Sequence, residues 1–188
     1  MPCIAALSQS RNWAGSFTTG IPEVSGGFYL AIHIQFCIVS ARHSNMPRTI
    51  KERYSVLLID DSEDDRLFMR RVLRQNPRFS IVGEVSDGED AIAYVSGTGA
   101  FNDRGLHPFP DVLLLDLKMP RKTGHEVLEW LQTQHFSELF VAVVSGSILP
   151  EDVERSMALG ANAYYQKDAL KEELEAMVRQ IEDLLDRS

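Results

Sequence analysis

Short apolar runs alternate along this chain with longer stretches of helical period. Val112 to Leu115 is continuous, too short for a helix, and bounded by Pro110-Asp111 before and Met119-Pro120 after, which predicts a strand buried on both faces. Ser55 to Ile59, Ser80 to Val85, Leu139 to Val144 and Ala163 to Tyr165 predict four more. Between them, the spacing predicts helices from about Asp65 to Gln75, from an Asp87 cap to about Val95, from His125 to about Gln132, and from Pro150 to Leu159. A final helix shows one apolar face through Leu170, Leu174, Met177, Val178, Ile181, Leu184 and Leu185. The first helix is read with Leu67, Phe68, Val72 and Leu73 inward and a basic outer face of Arg66, Arg70, Arg71 and Arg74. Strands alternating one by one with helices predict an α/β fold with a doubly wound, parallel, five-stranded sheet.

Two stretches stand outside this rhythm. Ser96 to Pro110, punctuated by Gly and Pro, is longer than a usual connection and marks an insertion or functional loop. Residues 1–45 are poor in acids and broken by Gly15, Gly20, Pro22, Gly26 and Gly27. They read as an N-terminal extension, disordered or foreign to the working protein, which would start at Met46. The alternation of Ile32, Ile34, Phe36 and Ile38 is its one strand-like signal. Phe28 to Val39 is too short and too polar for a membrane helix, and no basic segment precedes it as in a secretory signal.

Composition narrows the function. A net charge of −8 and a pI near 5.1, with no basic stripe or zinc-finger spacing, argue against direct DNA binding. Cys3 and Cys37 both lie in the extension, so the domain at 54–186 has no thiolate site, and a reducing cytoplasm suits it.

In a doubly wound sheet, all strand C-termini open on one edge, where ligands bind. Asp60, Asp61, Asp116, Ser145 and Lys167 all stand at or beside predicted strand ends. Taken singly, Asp116 could be a turn cap and the acids after Asp61 a favourable helix start. Together, three carboxylates without His or Cys suit a hard cation such as Mg²⁺, which binds phosphoryl oxygens. A carboxylate can attack phosphorus while an ammonium and a hydroxyl hold other phosphoryl oxygens, roles that fall to Asp116, Lys167 and Ser145. No Walker loop, Gly-x-Gly-x-x-Gly or Ser-His-Asp set accompanies them, so the phosphoryl group must come from another molecule.

At VLLIDDSEDD, LLLDLKMPRKTG, VVSGS and AYYQK the chain resembles the receiver domain of two-component response regulators. The resemblance implies a flavodoxin-like (βα)5 domain in which Asp116 accepts phosphate from a histidine kinase or phosphotransfer protein. It implies that Asp60 and Asp61 hold Mg²⁺ with the backbone carbonyl of Lys118, that Lys167 is the phosphate partner, and that Ser145 and Tyr164 form the switch. On phosphorylation Ser145 would move toward the phosphoryl group and Tyr164 would turn inward. The connection containing AFNDRG looks like that of single-domain regulators that serve phytochrome-type sensor kinases. Such a protein catalyses only its own phosphorylation and dephosphorylation, and signals through a partner or a homodimer. Asp168 departs from the family by following Lys167 where Pro is usual. An aspartate-dependent phosphatase is disfavoured because Lys118 stands where its second acid would be, and a pseudo-receiver because the acid set is complete.

Overall fold

The computed structural model describes residues 51–134, 136–167 and 171–187, together with the backbone of 37–39. Asp168 and most of the extension lie outside these. In chain order the elements are β1 (Cys37–Val39), β2 (Tyr54–Ile59), α1 (Glu63–Leu73), β3 (Phe79–Val85), α2 (Gly88–Ser96), β4 (Val112–Leu115), α3 (Gly124–Gln134), β5 (Phe140–Ser145), α4 (Pro150–Ala158), β6 (Ala163–Gln166) and α5 (Lys171–Arg187). The sheet order is β1-β6-β5-β4-β2-β3, and β2 through β6 are mutually parallel as the sequence predicts. The sheet has one strand more than expected. Cys37–Val39 pairs antiparallel along β6, with Ile38 opposite Tyr164, so the extension contributes an edge strand.

The period of two along each strand divides the core in two. Val56, Leu58, Leu114 and Val144 face one side, where Met69, Val72 and Leu73 of α1 meet Met177, Val178 and Ile181 of α5. Leu57, Ile59, Leu115 and Val143 face the other, covered by α2 and α3 through Ala91, Tyr94, Val127 and Leu128. Burial on both faces is why these strands read as unbroken apolar runs.

Helix α1 corrects the sequence reading. Ser62 caps it, its hydroxyl accepting from Asp65 N at 3.2 Å, so the helix begins two residues before the expected start. Its buried residues are Met69, Val72 and Leu73, an i, i+3, i+4 set, which turns Phe68 out to 46% exposure. The basic face is partly consumed within the domain. Arg70 makes a two-pronged bond to Glu84 at 2.8 and 2.9 Å, and Arg66 folds over the end of β2 onto the carbonyl of Asp60 and onto Glu63.

The long connection after α2 is ordered. Gly97, at φ 67°, ends the helix, and Arg104 turns back to donate to the carbonyls of Tyr94 and Val95 at 2.8 and 2.6 Å. His107 and Phe101 pack against Tyr94. The insertion therefore caps α2.

The starts of β2 and β4 are tied by Asp111. Its carboxylate accepts from Ser55 N at 2.9 Å and Ser55 Oγ at 2.8 Å, and pairs with Lys51. Burial alone would raise its pKa, but the bonds from Lys51 and Ser55 together bring it below the ordinary carboxylate value. A lowered folded pKa stabilises the fold above the unfolded value near 4, and that contribution is lost as pH falls through the folded one. Asp111→Ala is expected to cost about 2 kcal/mol at neutral pH. Urea melts of both proteins should converge as the pH falls from neutral through the lowered pKa of the folded carboxyl; a difference unchanged by acidification would contradict the assignment.

Candidate functional site at the strand C-termini

Ladder bonds at the strand ends fix the register of the site. Asp60 N donates to Val85 O at 3.1 Å, Asp116 N to Ile59 O at 2.9 Å, and Lys167 N to Ser145 O at 2.8 Å. The residues that follow β2, β4 and β6, and the last residue of β5, therefore come level on one edge. One carboxylate oxygen from each of Asp60, Asp61 and Asp116 lies within 4.8 Å of the others. Asp116 is buried, Asp60 half-buried and Asp61 exposed.

Lys167 is the counter-charge. Its ammonium is 2.7 Å from Asp60 Oδ2, 2.8 Å from Asp65 Oδ2 and 3.5 Å from Asp116 Oδ2. Burial alone would lower its pKa, but hydrogen bonds to Asp60 and Asp65 and the charge of Asp116 raise it net above the ordinary lysine value. Asp60 moves upward because burial outweighs the opposing effect of Lys167. Its other oxygen accepts from Ser62 N at 3.0 Å. Asp65 is a member that the sequence reading missed. Its place in the first turn of α1 was explained by helix charge alone, and only the fold brings it to Lys167.

The loop from Asp116 to α3 is held tightly. Leu117 N donates to Asp116 Oδ1 at 2.8 Å, and Gly124 N to Leu117 O at 3.0 Å. A Cβ at Gly124 would lie 2.2 Å from the Asp116 carbonyl oxygen and 2.8 Å from Leu117 Cα, so only glycine lets α3 start this close to the acid. Arg121, at φ 61°, reaches Asp87 and, at 2.9 Å, Asp90, pinning the loop to α2. The Lys118 side chain points to solvent.

Ser145 is fully buried, and its hydroxyl accepts from Ser147 N at 3.3 Å. Tyr164 already lies inside, 3% exposed, with its hydroxyl donating to Ser147 O at 2.9 Å. The inward position expected after phosphorylation is thus the one seen here. Burial is the main cause of its raised pKa. Beside the acids a cleft of about 260 Å³ opens between α1 and α5, with Asp60, Asp65, Asp116 and Lys167 on its wall. No described helix is long and apolar enough to cross a membrane.

Comparison with known proteins agrees with this geometry. Residues 56–179 match the family described as the response regulator receiver domain. Response regulator Rcp1 of Synechocystis sp. is 32% identical over 140 residues, covering 74% of this chain and 89% of Rcp1. The nitrate/nitrite response regulator NarL of Escherichia coli K12 is 34% identical over 124 residues, covering 66% of this chain but only 52%, about half, of NarL. Among solved structures, the phosphorylated cyanobacterial phytochrome response regulator RcpA superposes with a TM-score of 0.63 at 30% identity, covering 71% of this chain and 94% of RcpA. The Mn²⁺-bound form of Rcp1 gives 0.60 at 30% identity, covering 69% and 92%. Five parallel strands, an acid cluster at their C-terminal edge and these matches have one reading: the chain belongs to the response regulator receiver domain family.

Proposed function

We propose that this protein accepts a phosphoryl group on Asp116 from the phosphohistidine of a sensor histidine kinase or phosphotransfer protein, and signals by offering a changed surface to a partner. The observation that carries this is the meeting of a buried carboxylate, two further acids and one ammonium at a single sheet edge. An oxygen of Asp116 attacks phosphorus, the phosphorus–nitrogen bond breaks, and its electron pair stays with the imidazole nitrogen, which recovers a proton. Lys167, held protonated by its acids, bonds a phosphoryl oxygen, and the Ser145 hydroxyl donates to another. The protein acts on no substrate beyond its own Asp116. The likeness to RcpA supports a phytochrome-type kinase as donor, with a second copy of the chain as an alternative output partner.

The all-oxygen donor set of Asp60, Asp61 and Asp116 fits a hard divalent cation, for which Mg²⁺ is our choice, with the Lys118 carbonyl as a further ligand. When bound, the ion supplies positive charge against the phosphoryl oxygens. Asp60 is already engaged by Lys167 and Ser62, whereas the Asp61 carboxylate takes none of the described hydrogen bonds. Asp61→Ala should therefore weaken Mg²⁺ binding about 100-fold and Asp60→Ala about tenfold. Titration of the two variants with Mg²⁺ checks this, and the reverse order would contradict it.

The proposal itself is tested by mixing the protein with an autophosphorylated phytochrome-type kinase and with an unrelated histidine kinase. Label should leave both kinases for this chain, faster from the first. Failure to take label from any phosphohistidine donor would overturn it.

A further inference from the structure

Asp65 touches the site from outside its acid cluster. It stands at the third position of α1, where a side chain can reach back to the N–H of the serine cap. Here that N–H is taken, since Ser62 N donates to Asp60 Oδ1 at 3.0 Å, while the Ser62 hydroxyl accepts from Asp65 N at 3.2 Å. The cap therefore fixes the Asp65 main chain and leaves its carboxylate to accept from Lys167 Nζ at 2.8 Å. A helix start also favours negative charge at this position.

The Lys167 ammonium has three N–H donors. Two go to Asp60 Oδ2 at 2.7 Å and Asp65 Oδ2 at 2.8 Å, which leaves the third for Asp116, whose Oδ2 is 3.5 Å away. That separation is too long for a good hydrogen bond. The ammonium thus stands off from the carboxylate that is to attack, with one donor kept for a phosphoryl oxygen carried on it. Asp60 cannot maintain this alone, because it also belongs, with Asp61 and Asp116, to the three acids whose oxygens lie within 4.8 Å of one another and fit a cation. Asp65 is outside that set. We infer that Asp65 is a positioning residue for phosphoryl transfer, which holds the Lys167 ammonium back from Asp116 and keeps its third donor for the phosphoryl group. Without Asp65 the ammonium would close on Asp116, and a carboxylate paired in this way is a weaker nucleophile. The inference rests on Asp116 being the phosphoacceptor.

The test follows phosphoryl uptake from acetyl phosphate by intact mass, on the full chain at saturating Mg²⁺, together with titration of Mg²⁺ affinity. Asp65→Ala should slow uptake about tenfold, whereas Asp65→Asn, whose amide oxygen still accepts from Lys167, should stay within about threefold of the natural rate. Asp64→Ala, which removes the same charge from an exposed neighbour in the same turn, should also stay within about threefold. Mg²⁺ affinity should be alike in Asp65→Ala and Asp64→Ala. Uptake by Asp65→Ala at the natural rate, an Asp65→Asn as slow as Asp65→Ala, or a loss of Mg²⁺ affinity confined to Asp65→Ala would each overturn the inference and leave the phosphoacceptor reading standing. Natural protein that takes up no phosphoryl group would overturn both.

Discussion

Replacing Asp116 with Asn is expected to abolish phosphoryl uptake while the fold survives. The side chain is 5% exposed and sits in a loop closed by Gly124 and Arg121, so a near-isosteric amide fits where bulk would not. Its amide oxygen can still accept from Leu117 N–H or from Lys167, but an amide does not attack phosphorus as a carboxylate does. The other acids cannot take over: Asp60 is bound between Lys167 and Ser62, and Asp61 faces solvent. Removing one of three clustered negative charges also relieves repulsion, so the melting temperature without Mg²⁺ should be unchanged or slightly higher. Intact mass after acetyl phosphate treatment should show no phosphoryl adduct. Labelling equal to that of the natural protein would place the acceptor elsewhere.

The second large effect belongs to Lys167. Replacing it with Met keeps most of the stem but leaves Asp60, Asp65 and Asp116 without the ammonium that all three share. Breaking a partly buried ion network of this kind should destabilise the metal-free protein by about 3 kcal/mol, less than a fully buried one because Asp65 is 44% exposed. Losing a donor aimed at the transferring phosphoryl group should slow phosphorylation by roughly 100-fold or more. Addition of Mg²⁺ should restore more stability to the variant than it adds to the natural protein, since a cation would replace the missing charge. Because the folded pKa of Lys167 is raised, the stability that it gives is fully present below the unfolded lysine value and is lost only as pH rises through the folded one. Thermal melts at neutral pH, with and without Mg²⁺, measure this. A variant as stable as the parent without metal would mean that the acids hold no net charge to balance.

What the sequence made legible follows from the physics of each element. Strands such as Val112–Leu115 were plain because burial on both faces leaves no polar position, and the strand ends then had to share an edge. Asp65 and Arg66 were misjudged because their partners, Lys167 and the Asp60 carbonyl, are brought to them by the sheet, whereas local helix charge and period explained them adequately in sequence. Phe68 was placed inward because it lies four residues before Val72 and so also fits a helical stripe, whereas the stripe the fold buries is Met69, Val72 and Leu73. The strand at Cys37–Val39 was foreshadowed by the alternation from Ile32 to Ile38, yet its pairing with β6 is a long-range contact that no local pattern specifies.

The central claim is most directly tested by mapping the modification on the full natural chain. After treatment with acetyl phosphate and Mg²⁺, proteolysis and mass analysis should find one phosphoryl group per chain, confined to the peptide that carries Asp116, and absent when Mg²⁺ is withheld. A phosphoryl group on any other peptide, or none on this one, would contradict the account.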